Sequence, residues 1–222
     1  MNTARGIFVT GTDTGVGKTV IAVALLRALV ASGRRAVGMK PISAGIEPGA
    51  SVNADVVALH EASNVDAPIA DRNPFAFAPA IAPHLAAAHA GVAIDVAVVA
   101  AAYARLASRC DVVVVEGAGG VLVPVDATQD MLDIAASLHL PVMLVVGMRL
   151  GCLNHALLSA AAIRSRGLRF AGWVANCIDP QMHAVEANVE SLVTRLPAPH
   201  IATIPWGAPP VLSSAFVLGL AL

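Results

Sequence analysis

The chain has little of what several common protein classes depend on. Aromatic residues make up only 4% of its 222 positions, so a core has to be assembled from Ala, Val, Leu and Ile. Cysteine is scarce: Cys110, Cys152 and Cys177 are odd in number, far apart and without C-x-x-C spacing. That argues against a disulfide framework or a zinc site and for small apolar packing residues in a reducing cytosol. Charge is sparse too, at 13% of residues with a formal net charge of −1, which leaves no basic field to hold nucleic acid by its phosphates. A mean hydropathy of +0.73 invites a membrane reading. However, no apolar run reaches the roughly 18 residues a span needs. The best candidates are broken by Arg27, by His89 and Asp95, or by Pro141 and Arg149. A secretory leader is not expected, because the first strand begins by Ile7 and leaves no room for one. The simplest organisation is one cytoplasmic domain, 1–222, with neither membrane nor nucleic acid as partner.

What the chain does have is the stretch GTDTGVGKT, Gly11 to Thr19, between the apolar run Ile7–Val9 and the helical run that starts at Val20. Strand, glycine-bearing turn and helix form the context of a phosphate-binding loop. Backbone N–H groups of the turn and the helix start lack partners in the chain and converge on an anion. Gly15 and Gly17 let that backbone approach phosphates closely. Lys18 can reach β- and γ-phosphate oxygens, and the Thr19 hydroxyl can ligate Mg²⁺. One detail departs from G-x-x-x-x-G-K-[ST]: the first glycine would stand at 12, where the chain has Thr12, and the nearest is Gly11.

Further along, Ser32-Gly33 ends the first helix and 36–39 reads as a short strand. It delivers Lys40 to a loop, 40–45, at the carboxyl edge of the sheet, where open α/β folds bind ligands. Residues 53–60 have helical spacing with Asp55 in the first turn, an ordinary place for a helix-start acid. Residues 63–82, with Pro68, Pro74 and Pro79, read as a long loop excursion. Helical, alanine-rich sequence follows from Pro83-His84, with a second helix near 96–108. His84 and His89 are five apart, which does not suit two metal ligands on one helix face. The run Val112–Val115 marks a central strand buried on both faces, ending in Glu116 and the glycine-rich turn Gly117-Ala118-Gly119-Gly120. A carboxylate there is costly unless a cation answers it. Further strands are expected at 141–146, 170–175 (ending at Asn176) and 200–204, with helices to about Arg166 and over 181–195. Gly151 to Asn154 would present free N–H groups as a second anion site. Trp173 and Trp206 read as packing residues, and the tail from Val211, broken by Ser213-Ser214, as a short helix. The alternation predicts an α/β, three-layer P-loop NTPase-like domain with a mainly parallel central sheet flanked by helices.

On FVTGTDTGVGKT (8–19), GMKPISAG (38–45), APH (82–84), VVVVEGAGG (112–120), PVMLVVGMRLGCLNHA (141–156), GWVANCIDP (172–180) and IPWG (204–207), the chain resembles the dethiobiotin synthetases. The resemblance implies a biotin-pathway ligase that joins CO₂ to 7,8-diaminononanoate with MgATP. Its route runs through a carbamate and a carbamic-phosphoric anhydride and releases ADP and phosphate. By the same resemblance Gly15, Val16, Gly17, Lys18, Thr19 and Val20 hold the phosphates. Thr19, Asp55 and Glu116 hold Mg²⁺, and Gly117, Ala118 and Gly119 also belong to the nucleotide site. Asn176, Cys177, Pro205, Trp206 and Gly207 surround the adenine, while Thr12 and Lys40 face the carbamate. Gly151, Cys152, Leu153 and Asn154 receive the substrate carboxylate from the other subunit of a homodimer. Three positions depart from well-known members: Gly15 replaces a Glu, Ala44 a substrate-contacting Ser, and Arg149 a Lys. A cobyrinate-type amidoligase is the alternative enzyme, though 222 residues leave no space for its glutamine-hydrolysing domain. A partner-binding switch ATPase is the non-enzyme alternative. The early extra lysine of such proteins is missing from Gly11-Thr12-Asp13.

Overall fold

A computed structural model describes residues 5–212 and 214–221. Strand β1 (Arg5–Gly11) leads into helix α1 (Lys18–Ala31) and strand β2 (Ala36–Met39). A detour follows through β3 (Ile42–Ala44), α2 (Ala54–Glu61), α3 (Ile69–Arg72), β4 (Phe75–Phe77) and α4 (Pro83–His89). From α5 (Val96–Ala107) the chain alternates through β5 (Val112–Gly120), α6 (Met131–Ser137), β6 (Val142–Met148), α7 (Cys152–Ser165), β7 (Phe170–Cys177), α8 (Val185–Arg195), β8 (His200–Ile204) and α9 (Ser214–Ala221). Six strands form one sheet in the order β2-β5-β1-β6-β7-β8, parallel throughout. The expected α/β architecture with a parallel central sheet is therefore present.

Strand side chains alternate between two buried faces, as the pleat requires. Phe8, Val113, Val115, Leu144 and Val146 point to one core, which α5, α6, α7 and α8 close with Leu106, Ile134, Ile163 and Leu192. Ile7, Val9, Val112, Val114, Met143 and Val145 point to the other, closed by Ile21, Leu25 and Leu29 of α1, Leu59 of α2 and Val217 of α9. Parallel strands buried on both faces cannot show polar alternation, which is why they read as unbroken valine and leucine runs.

The detour differs from expectation. The loop expected at 40–45 and the excursion expected at 63–82 are joined: β3 and β4 pair in parallel as a separate two-stranded sheet. Three-residue strands carry no periodicity, and only the long-range pairing of Ile42 with Phe75 and Ala44 with Phe77 makes them strands. β5 does not stop at Glu116. It continues through Gly120, which pairs with Gly11 beyond a register shift in which four residues of β5 span two of β1. α8 starts at Val185, later than the expected 181, behind Ala184 with φ of 54°. Trp173 is wholly buried, whereas Trp206 is 60% exposed just past β8 and packs in no core. In the expected tail helix, Ser213 and Leu222 lie outside the described residues.

α6 emerges only in the structure, seven residues being too few for a clear period. It is closed by a capping box: Asp130 accepts from the Leu132 N–H at 2.9 Å, and Asp133 accepts from the Asp130 N–H at 2.8 Å. Both acids also hold Arg166, just past the end of α7. Asp130→Ala removes cap and ion pair together and is expected to lower stability by about 1–2 kcal/mol. Urea denaturation reads this directly, and an unchanged midpoint would show that the cap carries no weight.

Candidate active site

β1 hands over to α1 through a loop in which Gly15 and Gly17 adopt φ of 74° and 88°. An added Cβ at Gly17 would lie 2.2 Å from Nδ2 of Asn176, so the loop is moulded against β7. That Asn176 amide also donates to the Val16 carbonyl at 2.8 Å. No side chain caps the start of α1, so its first N–H groups remain free to meet an anion. Lys18 is mostly buried and donates to the Asp13 carbonyl at 2.9 Å. Burial pulls its ammonium down to about 8, only partly offset by the Glu116 carboxylate. Thr12 is engaged behind the loop: its N–H donates to the Val145 carbonyl and its hydroxyl accepts from the Gly147 N–H at 3.3 Å.

Beside the loop, four elements of secondary structure meet. Lys40, from the end of β2, donates to Asp55 Oδ2 at 2.6 Å and to Glu116 Oε1 at 2.7 Å. Thr19, on α1, donates to the same Glu116 oxygen at 2.8 Å. Asp55 opens α2 behind its cap Asn53, and Glu116 lies on β5 with no exposure. Burial by itself would lower the Lys40 pKa. The two carboxylates outweigh it and hold the ammonium charged. Burial likewise opposes ionisation of Asp55, and Lys40 prevails. The second Glu116 oxygen, Oε2, is buried without a hydrogen-bond partner.

That oxygen, Asp55 and the Thr19 hydroxyl make an all-oxygen donor set, the chemistry that Mg²⁺ takes. Among the described residues no group of three or more His, Cys, Asp or Glu forms a metal cage. Two carboxylates and a hydroxyl suit an ion whose other positions are filled by phosphate oxygens and water.

Lys18, Thr19, Lys40, Asp55 and Glu116 line one cavity of about 720 Å³. Gly15, Gly17, Val20, Ala118 and Gly119 border it as well, so the phosphate-loop and metal-ligand candidates share one space, whereas Thr12, Val16 and Gly117 do not line it. The rest of the lining is largely apolar: Ala44, Ala80, Ile81, Ala82, Pro83 and Val123. Ser43 does not face the cavity; fully buried, it donates to Asn73 Oδ1 at 2.9 Å. A second cleft of about 620 Å³ opens beside Thr19 and Val20, bounded by α1, Ala58 and residues 209–212. The residues expected around adenine lie at the ends of β7 and β8. Asn176 and Cys177 are half-buried, and Pro205, Trp206 and Gly207 are exposed. Gly151 to Asn154 stand apart from the cavity. Gly151, with φ of 95°, starts α7 without a side-chain cap, and the Cys152 side chain points into the core. Next to them Leu150 is 96% exposed, and Leu158 follows two turns along the same helix.

Two contacts of the site follow from no sequence motif. Arg149 pairs with Asp13 at 2.5 Å, tying the β6–α7 connection to the phosphate loop. Asn73 holds the main chain of Lys40. The dipeptide Asn73-Pro74 is a turn signal, but no local pattern reveals what an asparagine side chain grips.

An AAA-domain family model matches residues 5–210. An ATP-dependent dethiobiotin synthetase BioD from Nitrosospira multiformis is 49% identical over 206 residues, which is 93% of this chain and 90% of the relative. One from Xanthomonas axonopodis pv. citri is 50% identical over 90% of both chains. Among solved structures, the septum site-determining protein MinD of Pyrococcus horikoshii, complexed with Mg-ADP, superposes with a TM-score of 0.57 at 18% identity, covering 91% of this chain and 81% of its own. At that identity the likeness concerns the fold alone.

Two outcomes follow from the loop. Gly17→Ala drives a methyl into Asn176 at a left-handed position, and triphosphate binding is expected to fall by about tenfold or more, with the fold retained. A fluorescent-nucleotide titration with wild-type affinity would contradict this. Lys18 must carry its proton to bind phosphate, so affinity should be flat near pH 7 and weaken above pH 8. At pH 8, binding should take up about half a proton, which calorimetry in buffers of different ionisation enthalpy measures. Zero uptake would refute the linkage.

Proposed function

This chain belongs to the ATP-dependent dethiobiotin synthetase family, and we propose that it closes the ureido ring of dethiobiotin from 7,8-diaminononanoate, CO₂ and ATP. The observation that carries this reading is the meeting of buried Lys18, Lys40 and Glu116 with half-buried Thr19 and Asp55 at a cavity whose remaining lining is largely apolar. A triphosphate and a carbamate repel each other, so a site that joins them has to concentrate positive charge where they touch. The long methylene chain of the diamine suits the apolar lining residues Ala44, Ala80, Ile81, Ala82, Pro83 and Val123.

In the proposed reaction one substrate amine adds to CO₂ and loses a proton, leaving a carbamate. A carbamate oxygen attacks the γ-phosphorus and the bond to ADP breaks. The second amine attacks the carbamoyl carbon, phosphate departs, and another proton is released. The free N–H groups of the loop and α1 hold the phosphates, and Lys18 neutralises charge moving toward the β–γ bridge. Lys40 steadies the carbamate beside it. Thr19, Asp55 and Glu116 would hold Mg²⁺, which there lowers the repulsion between the two anions. Asn176, Cys177 and Pro205 to Gly207 flank the base, an assignment supported by the Asn176 contact with the phosphate loop. Ala44 offers the substrate only van der Waals contact, and Ser43 is committed to Asn73.

A homodimer belongs to the same reading, with Gly151 to Asn154 receiving the carboxylate of substrate bound to the neighbour. Exposed Leu150 and Leu158 beside that uncapped helix start support it. Among the described residues no helix is long and apolar enough to cross a membrane, and a cytoplasmic location is proposed.

Incubation with the diamine, bicarbonate and MgATP should yield dethiobiotin by mass, with ATP hydrolysis dependent on both co-substrates. Equal hydrolysis without the diamine would point instead to a switch ATPase. Lys40→Ala should cost roughly 3 kcal/mol of transition-state stabilisation, a hundredfold or more in turnover, with nucleotide affinity nearly kept. Full turnover in that variant removes Lys40 from the mechanism.

A further inference from the structure

Lys40 stands at the end of an edge strand, where its chain has run out of sheet: β2 pairs only with β5, and the pairing ends at Met39. Pro41 follows and has no N–H to give. Both main-chain polar groups of Lys40 are nonetheless taken, and both by neighbouring residues of the detour. Its N–H donates to the Arg72 carbonyl at 2.8 Å, and its carbonyl accepts from Asn73 Nδ2 at 2.7 Å. The same Asn73 amide donates to the Phe75 carbonyl at 3.1 Å, while its Oδ1 accepts from the Ser43 hydroxyl at 2.9 Å. Asn73 is 7% exposed and Ser43 not at all. One carboxamide thus pins three stretches: the end of β2, the start of β4 and the middle of β3.

We propose that Asn73 is a positioning residue for the reaction, holding the Lys40 backbone so that the ammonium reaches its working place. A lysine side chain has four rotatable bonds, and its reach to a fixed point depends on where its Cα stands. Displacing a reacting group by about 1 Å can cost two orders of magnitude in rate. Asparagine is the short side chain that supplies two N–H donors and an acceptor from one planar group. Aspartate of the same shape keeps the acceptor, loses both donors, and sets a negative oxygen against the carbonyls of Lys40 and Phe75. The segment carrying Asn73 is itself secured from the other side. Buried Arg72 donates from Nε to the Ala67 carbonyl at 3.0 Å and from Nη2 to the Val65 carbonyl at 2.7 Å. On this account the excursion at 63–82 is a brace that sets the position of a lysine more than thirty residues earlier.

The inference rests on the role given to Lys40 above, and the wild-type enzyme run alongside separates the two claims. A wild type that forms no dethiobiotin sinks the proposed function, whereas turnover that is indifferent to Asn73 sinks only the brace. Asn73→Ala and Asn73→Asp are each expected to lower kcat by about tenfold to a hundredfold, with KM for MgATP and nucleotide affinity within about twofold. The decisive comparison is with Lys40→Ala: adding Asn73→Ala to it should produce no further loss, because the amide acts through that lysine. A merely structural role would multiply the two losses and move nucleotide affinity as well. Ser43→Ala, which removes only the outer hydrogen bond, should give a milder drop in kcat, about twofold to fivefold, again without change in nucleotide affinity. It decides the matter if the Asn73 variants do not fold. Unchanged kcat in the soluble Asn73 variants, full multiplication in the double variant, or an unaffected Ser43→Ala when it stands alone overturns the proposal.

Discussion

An ammonium ion removed from water needs anions at contact distance, and this structure is built around one such ion. Lys40 is almost fully buried and survives as a cation because Asp55 and Glu116 lie within 2.7 Å of it. Glu116 could not be buried there alone, and breaking its buried pair with Lys40 by removing one member commonly costs several kcal/mol. The cluster therefore forces the end of β2, the start of α2 and the body of β5 to one point. Thr19 joins them through the same Glu116 oxygen, so the phosphate loop is drawn into the same knot.

Most of the sheet was legible in the sequence because its strands are buried on both faces. Four successive valines at 112–115 leave few alternatives to a central parallel strand, and glycines at 15 and 17 before Lys18 leave few to a phosphate loop. The detour was not legible. Ile42–Ala44 and Phe75–Phe77 are strands only because they find each other across more than thirty residues, and no local pattern encodes that. The end of β5 differs for a related reason: glycine signals a turn, and Gly119 does adopt a φ of 64°, yet the strand resumes its pairing with β1 at Gly120. Trp206 shows the limit of hydrophobicity as a guide, since this large ring just past an edge strand stays 60% exposed and joins neither core among the described residues.

The site was legible to a different degree for each residue. Lys18, Thr19 and Glu116 follow from motif and strand placement. Asp55 could be told from an ordinary helix-start acid only through family resemblance, and the structure then brings it to 2.6 Å from Lys40. Asn73, Ser43 and the Asp13–Arg149 pair are tertiary facts, legible only from coordinates. Similarity to the dethiobiotin synthetases extends over nine-tenths of the chain, so the framework that carries the site is shared with them.

The strand order has a consequence for the making of the protein. Thr19 must wait for Glu116, 97 residues downstream, and Val16 for Asn176, 160 downstream. A nascent chain leaving the ribosome therefore displays its phosphate loop long before the strands that shape it have been synthesised. The finished phosphate site is therefore absent from the emerging chain, and the apolar segments already made wait for their sheet partners until translation is nearly complete.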